Sequence, residues 1–142
     1  MSSESTPKKS FTRFFPPIAR YLLGVPLIIF GLNCFLNFIP QPKMALPEGA
    51  VAFTKALMDT GYMMKLIGAT QVISGLMLVT NLFVPLALAL FAPFIVNALA
   101  FHLVLEHSGL VPAGVFLALE LYLAWAYRKA YCSMLAMKTK LD

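Results

Sequence analysis

An all-α integral membrane protein, a four-helix bundle with short loops and an interfacial helix between spans one and two, is the fold class this sequence predicts, on three observations. The 142 residues are 60% hydrophobic and only 12% charged, whereas a soluble domain carries about 25% charged residues. Mean hydropathy is +0.81. The apolar residues fall into four long blocks, each close to the ~20 residues that cross a bilayer as a helix. Lysine and arginine gather towards the two chain ends, as expected of loops and tails kept on one side of a membrane.

Taken in order, residues 1–12 are Ser-rich and charged and read as a cytoplasmic tail, followed by one four-helix domain over 13–131. Span one covers about 17–39. Its only charge, Arg20, lies within a turn of its start, where the head can snorkel to the interface. Pro26 sits inside it. The loop over 40–60 carries Leu46, Ala50, Phe53 and Leu57 at helical spacing, opposite Glu48, Lys55 and Asp59, which predicts a short helix lying on the outer interface.

Span two covers 61–81, with Lys65 one turn inside. Span three covers 85–106, with Pro93 near the midplane, where a proline removes a backbone bond and kinks a helix. A turn over 107–111 leads to Pro112 in the first turn of span four, 112–129, a position where the missing N–H costs nothing. Residues 132–142 form a second cytoplasmic tail.

Orientation follows from Lys8, Lys9, Arg13, Arg20, Arg128, Lys129, Lys138 and Lys140 at one side, against Lys43, Lys55 and Lys65 at the other. Both termini are therefore expected in the cytoplasm, with the chain multi-pass in the cell (inner or plasma) membrane. The same bias explains the net charge of +5 and the pI of 9.4. It points to anionic membrane lipids as partners and not to nucleic acid. Phe11, Phe14, Phe15 and Tyr21, with Trp125, Tyr127 and Tyr131, form an aromatic belt at that interface. The first apolar block is about twice the length of a signal-peptide core and lacks a small-x-small cleavage site, so it is expected to remain as a span.

Polar side chains inside spans are costly, about 3 kcal/mol for an ionised one at the centre, so each needs a partner or a cavity. Gln71, Asn97 and Glu120 fall near the midplane. Asn33 and His102 lie roughly 7 to 9 Å further out, and Asn37, Glu106 and His107 lie at the outer rim. The inner half holds little that is comparable. This asymmetry predicts a polar recess open to the outside and closed by apolar packing towards the cytoplasm.

His102 and Glu106 share a helix face, as do Asn33 and Asn37, while Gly61, Gly68 and Gly75 share a face with Gln71. Asn97 and His102 point about 140° apart, too far to line one narrow seam unless Pro93 changes the geometry. Two readings stay open for Glu120: a neutral acid hydrogen-bonded to Gln71 or Asn97, or a group that meets a ligand or proton. The asparagines suit interhelical hydrogen bonds, and His102 with Glu106 suits an ordinary surface pair. A metal centre lacks ligands, because His107 projects about 100° from Glu106. Cys34 and Cys132 fall in opposite halves of the membrane, without a Cys-x-x-Cys, so thiol exchange is not expected. No phosphate loop, paired-histidine haem scaffold or nucleophile elbow occurs, so no catalytic residue is assigned.

A set of short motifs runs through the chain from Arg13 to Lys129. They are Arg20-Tyr21-Leu22-Leu23-Gly24 with Phe30-Gly31-Leu32-Asn33, Thr60-Gly61-Tyr62 leading to Gly68, Gln71 and Gly75, Ala92-Pro93-Phe94-Ile95-Val96-Asn97 with Phe101-His102, and Leu119-Glu120-Leu121 with Trp125-Ala126-Tyr127-Arg128. In order and spacing the chain resembles the DoxX family of small four-span membrane proteins. Some members are associated with quinone-linked oxidoreductases such as thiosulfate:quinone systems, others with thiol-stress complexes. The resemblance puts Gln71 where many members have a glutamate and Asn33 where a lysine is common, and His102 and Glu120 match polar positions of relatives. A buried acid and a buried base would thus both have been replaced by amides.

That resemblance implies an accessory subunit of a quinone-linked membrane oxidoreductase, rather than an enzyme by itself. Asn33, Gln71, Asn97, His102 and Glu120 would hold a quinone or lipid headgroup, with Asn37 and Glu106 at the rim. No covalent cofactor is implied. Partners would be membrane lipids, oxidoreductase subunits or further copies of this chain. The alternative is a non-enzymatic scaffold or assembly factor, whose buried polar residues only lock helix packing. Transport is disfavoured by the apolar inner half and by the lack of an inverted repeat.

Overall fold

In a computed structural model that describes residues 14–40 and 45–132, the chain forms six helices and, among the described residues, no strand. They are α1 (Phe15–Leu36), α2 (Glu48–Asp59), α3 (Met63–Thr80), α4 (Val84–Val104), α5 (Leu110–Ala126) and α6 (Arg128–Tyr131). Helices α1, α3 and α4 are long and apolar enough to cross a membrane; α5 is apolar but shorter, at 17 residues. No more than 33% of any of the three long spans is buried within the chain. The rest, including Leu22, Ile29, Ile73, Leu90 and Val96, faces outward, which in water would be an untenable apolar surface. The chain is a small multi-pass membrane protein. Of the charges and aromatics used above for orientation, Lys8, Lys9, Phe11, Arg13, Lys43, Lys138 and Lys140 lie outside the described residues.

Helix ends follow from local chemistry. Pro16 and Pro17 open α1. The helix stops at Leu36, short of the expected residue 39, because Asn37 turns left-handed (φ 48°) and gives its N–H to the Asn33 carbonyl at 2.9 Å. Asparagine tolerates that conformation. Asn81 (φ 60°) ends α3 in the same way, and Leu82 N–H closes the cap on the Met77 carbonyl at 3.0 Å. Gly61 takes φ 75° in the turn between α2 and α3. It is a turn residue there and not part of the small-residue face. Pro112 occupies the third position of α5, still within the first turn, and α1 and α4 run through Pro26 and Pro93 as continuous helices.

The tightest packing joins α1 to α3. A Cβ placed on Gly31 would lie 2.7 Å from the Gly68 carbonyl oxygen, and one on Gly75 would lie 2.7 Å from the Gly24 carbonyl oxygen. The order of the pairs makes the two helices antiparallel. The apolar core of Leu23, Leu27, Leu78, Leu88, Phe91, Ile95 and Leu123 fills the half of the bundle where α1 and α4 begin and α3 and α5 end. At that end Tyr131 donates its hydroxyl to the Pro85 carbonyl (3.0 Å) and Tyr127 donates to Asn81 Oδ1 (3.3 Å). The end of α5 and α6 is thereby tied to the turn between α3 and α4. Most of the Arg20 side chain is packed within the bundle. It is 8% exposed, and its Nε and Nη1 have no hydrogen-bond partner.

A candidate ligand recess beneath helix α2

Away from the apolar core, the later halves of α1 and α4 and the first half of α3 border a gap, and α2 lies over it. Ala50, Phe53, Thr54 and Leu57 form the inward stripe of α2: Ala50 is buried, the other three half-buried. Lys55 and Asp59 pair at 2.6 Å on the exposed side. Leu46, assigned to the same stripe from its spacing, precedes the helix and is exposed. The Phe53 ring meets Phe101 of α4 at 5.5 Å between centroids, and a Cβ on Gly49 would touch the Leu105 side chain. Apolar contacts therefore hold the amphipathic helix across the end of α4.

Beneath it lies a recess of about 310 Å³. Its walls carry four phenyl rings, Phe30, Phe53, Phe94 and Phe101, and the polar groups of Asn33, Gln71, Asn97 and His102. Four of the five residues expected to meet a ligand thus share one cavity. Asn97 and His102 both line it because the exposed arc of α4 is wide: Phe94, Ala98 and Phe101 fill the roughly 140° between them. Asn97 sits on the exposed flank and His102 on the half-buried one.

Each polar group has a distinct state. Asn33 Oδ1 accepts the Ile39 N–H at 2.8 Å, which leaves its NH₂ as the remaining donor. Gln71 is 5% exposed, and its Oε1 has no hydrogen-bond partner. His102 Nδ1 lies 3.0 Å from both the carbonyl and the carboxylate Oε2 of Glu106. Both are acceptors, so Nδ1 carries a hydrogen, and in the neutral ring Nε2 is an acceptor.

Glu106 is engaged elsewhere than at a ligand. Its Oε1 accepts the Ser108 N–H at 2.7 Å and its Oε2 the Gly109 N–H at 3.2 Å, immediately before α5 begins. Hydrogen bonds from the Ser108 side chain and backbone, with help from Gly109 and His102, lower its pKa to about 2 against an opposing desolvation. A Cβ on Gly109 would strike the His102 ring. The four residues form a compact turn. Asn37, the other rim residue, is the exposed left-handed cap of α1.

Glu120 is not in this recess. It lines a separate hollow between α4 and α5, its Oε2 is unpartnered, and the expected bond to Gln71 or Asn97 is not formed. The similar depth expected for them does not bring them together, because they line different crevices. Cys34 lines the recess as a free thiol donating to the Phe30 carbonyl at 3.4 Å. No group of three or more His, Cys, Asp or Glu side chains suited to a metal occurs among the described residues.

Sequence reasoning missed the aromatic walls. The signal was there: Phe30 and Asn33 on α1, and Phe94 and Phe101 on α4, each recur at helical spacing beside a polar residue. The site can bracket a flat ring between phenyl faces and hydrogen-bond its edge through amides, which donate and accept without changing protonation. No family model, curated protein or solved structure matches the chain.

Proposed function

We propose that this chain is a four-crossing protein of the cell membrane that holds the head of a membrane quinone in the recess under α2, as an accessory subunit of a quinone-linked oxidoreductase. The observation that carries the reading is Gln71, a buried amide on the wall of an aromatic-lined cavity, whose oxygen has no hydrogen-bond partner. A buried polar atom of that kind is costly unless something bonds to it. A quinone offers two carbonyl acceptors and its quinol two hydroxyl donors. The unpartnered Gln71 Oε1 accepts from a quinol hydroxyl, and the NH₂ groups of Asn33 and Asn97 donate to a quinone carbonyl. About 310 Å³ lies at the small end of ligand pockets, suited to a ring whose tail passes out to the bilayer.

For the crossings, α5 spans about 26 Å at 1.5 Å per residue, and α6 extends it. Arg20, Arg128 and Lys129 near the core end, against Lys55 and Lys65 near the recess end, favour cytoplasmic termini and an outward recess. The oxidoreductase link rests on the short motifs that resemble the DoxX family and on no family-model match. The scaffold reading draws support from His102 and Glu106, whose bonds serve the turn into α5.

The deciding experiment is gentle extraction followed by mass spectrometry of retained lipids, quinones and proteins, with thermal melts of the purified chain in a short-chain quinone series. Quinone recovered with the protein, and stabilisation of about 2.7 kcal/mol at a hundredfold excess over Kd, both lost in Gln71→Leu, support the reading. A retained phospholipid with no quinone response makes the recess a lipid site. The absence of any ligand, with only packing partners retained, leaves the scaffold.

A further inference from the structure

The hollow between α4 and α5 measures about 480 Å³ and shares no lining residue with the recess under α2. Leu88, Ala92, Ile95 and Leu117 make its walls, and Glu120 is the one acidic side chain facing it. Glu120 is 5% exposed, its Oε2 has no hydrogen-bond partner, and neither ion pair among the described residues includes it. Helix α4 presents only aliphatic side chains to the hollow.

The two other polar side chains on the lining are committed elsewhere. Arg128 lies two turns along, about 12 Å further in axial rise. Its guanidinium rests 4.8 Å from the Trp125 ring centre, and Nη1 donates to the Trp125 carbonyl at 3.0 Å. Tyr131 gives its hydroxyl to the Pro85 carbonyl. An ionised carboxyl in such surroundings needs a counter-charge, and no cation among the described residues pairs with it.

We propose that this hollow binds a lipophilic cation, a molecule carrying one positive charge within an apolar body, with Glu120 as its counter-charge. The small side chains of Ala89, Ala92 and Ala124 leave the room for the apolar body. A hollow of about 480 Å³ has the size of a small-molecule pocket and not of a groove for a helix about 10 Å across. The site is independent of the quinone reading.

The test uses the full chain in phosphatidylcholine nanodiscs and tetraphenylphosphonium as the probe, measured by equilibrium dialysis. Saturable binding of one cation per chain is expected, weakened roughly tenfold or more in Glu120→Gln. Ala89→Phe, which fills the hollow from an exposed position and leaves the carboxyl in place, should weaken it equally with an unchanged melting curve. It decides the matter if Glu120→Gln does not fold. Equal binding in both variants and the parent chain, or equal affinity for the anion tetraphenylborate, overturns the proposal as simple partition into apolar surface. So does a co-purifying polypeptide that cross-links at position 120 and blocks the probe.

Discussion

Gly31 and Gly68 meet backbone to backbone: a Cβ on either residue would come within 2.7 Å of the other's carbonyl oxygen. A carbonyl on a helix cannot swing aside like the end of a side chain, so the cost of filling this space falls on the helix separation itself. Gly68→Ala should destabilise the protein by about 1 to 3 kcal/mol, seen as a lower melting temperature in detergent. Gly114→Ala is the matched control, since a Cβ there has nothing within 4 Å. It should be neutral or raise stability by about 0.5 to 1 kcal/mol through the ordinary helix preference for alanine. Equal effects of the two substitutions would remove the close seam from the account.

The Glu106 turn makes a pH prediction. Its carboxyl is held at about 2 in the folded chain, below an ordinary value of 4.5. A lowered folded pKa contributes stability that is complete above the unfolded value and lost as pH falls through the folded one. The melting-temperature gap between the parent chain and Glu106→Gln should therefore be full at pH 7 and shrink across the window from 4.5 to 2. A gap that stays constant over that window would mean that the carboxylate charge does not hold the turn.

Removing the Phe53 ring tests the cover on the recess. Phe53→Ala loses the contact with Phe101 at 5.5 Å, worth about 0.5 to 1.5 kcal/mol beyond its buried area. Quinone dissociation should speed up by roughly tenfold, with association changed less, in stopped-flow fluorescence. If dissociation is unaltered, α2 does not retain the ligand.

Orientation is open to a labelling experiment. In a Cys34→Ala background, the exposed Cys132 beyond α6 is the remaining thiol. A membrane-impermeant maleimide should modify it in inside-out vesicles and not in right-side-out ones. The reverse pattern would turn the recess towards the cytoplasm.

Much of the architecture could be read from residues alone, and the reasons are local. Apolar blocks of span length and the spacing of Ala50, Phe53 and Leu57 depend only on sequence neighbours. Asn33, Gln71, Asn97 and His102, singled out as polar residues within apolar blocks, line one cavity. Direction around the bundle was not legible. Glu120, expected at the same depth as Gln71, opens into another crevice, because azimuth depends on how four helices rotate against each other. Glycines 68 and 75 stood out in the sequence, but their partners Gly24 and Gly31 emerge only once the antiparallel register is known. Arg20 shows a third limit: hydropathy marks a charge near a span end, and packing decides whether it reaches water.

The two glycine contacts sit seven residues apart on each helix, about 10 Å of axial rise. Two fastenings at that separation resist both sliding and pivoting, so α1 and α3 behave as a single stiff beam. Of the walls around the recess, the α1–α3 side is the one fastened at two points, and a ligand bound there would have to enter past α2 or α4.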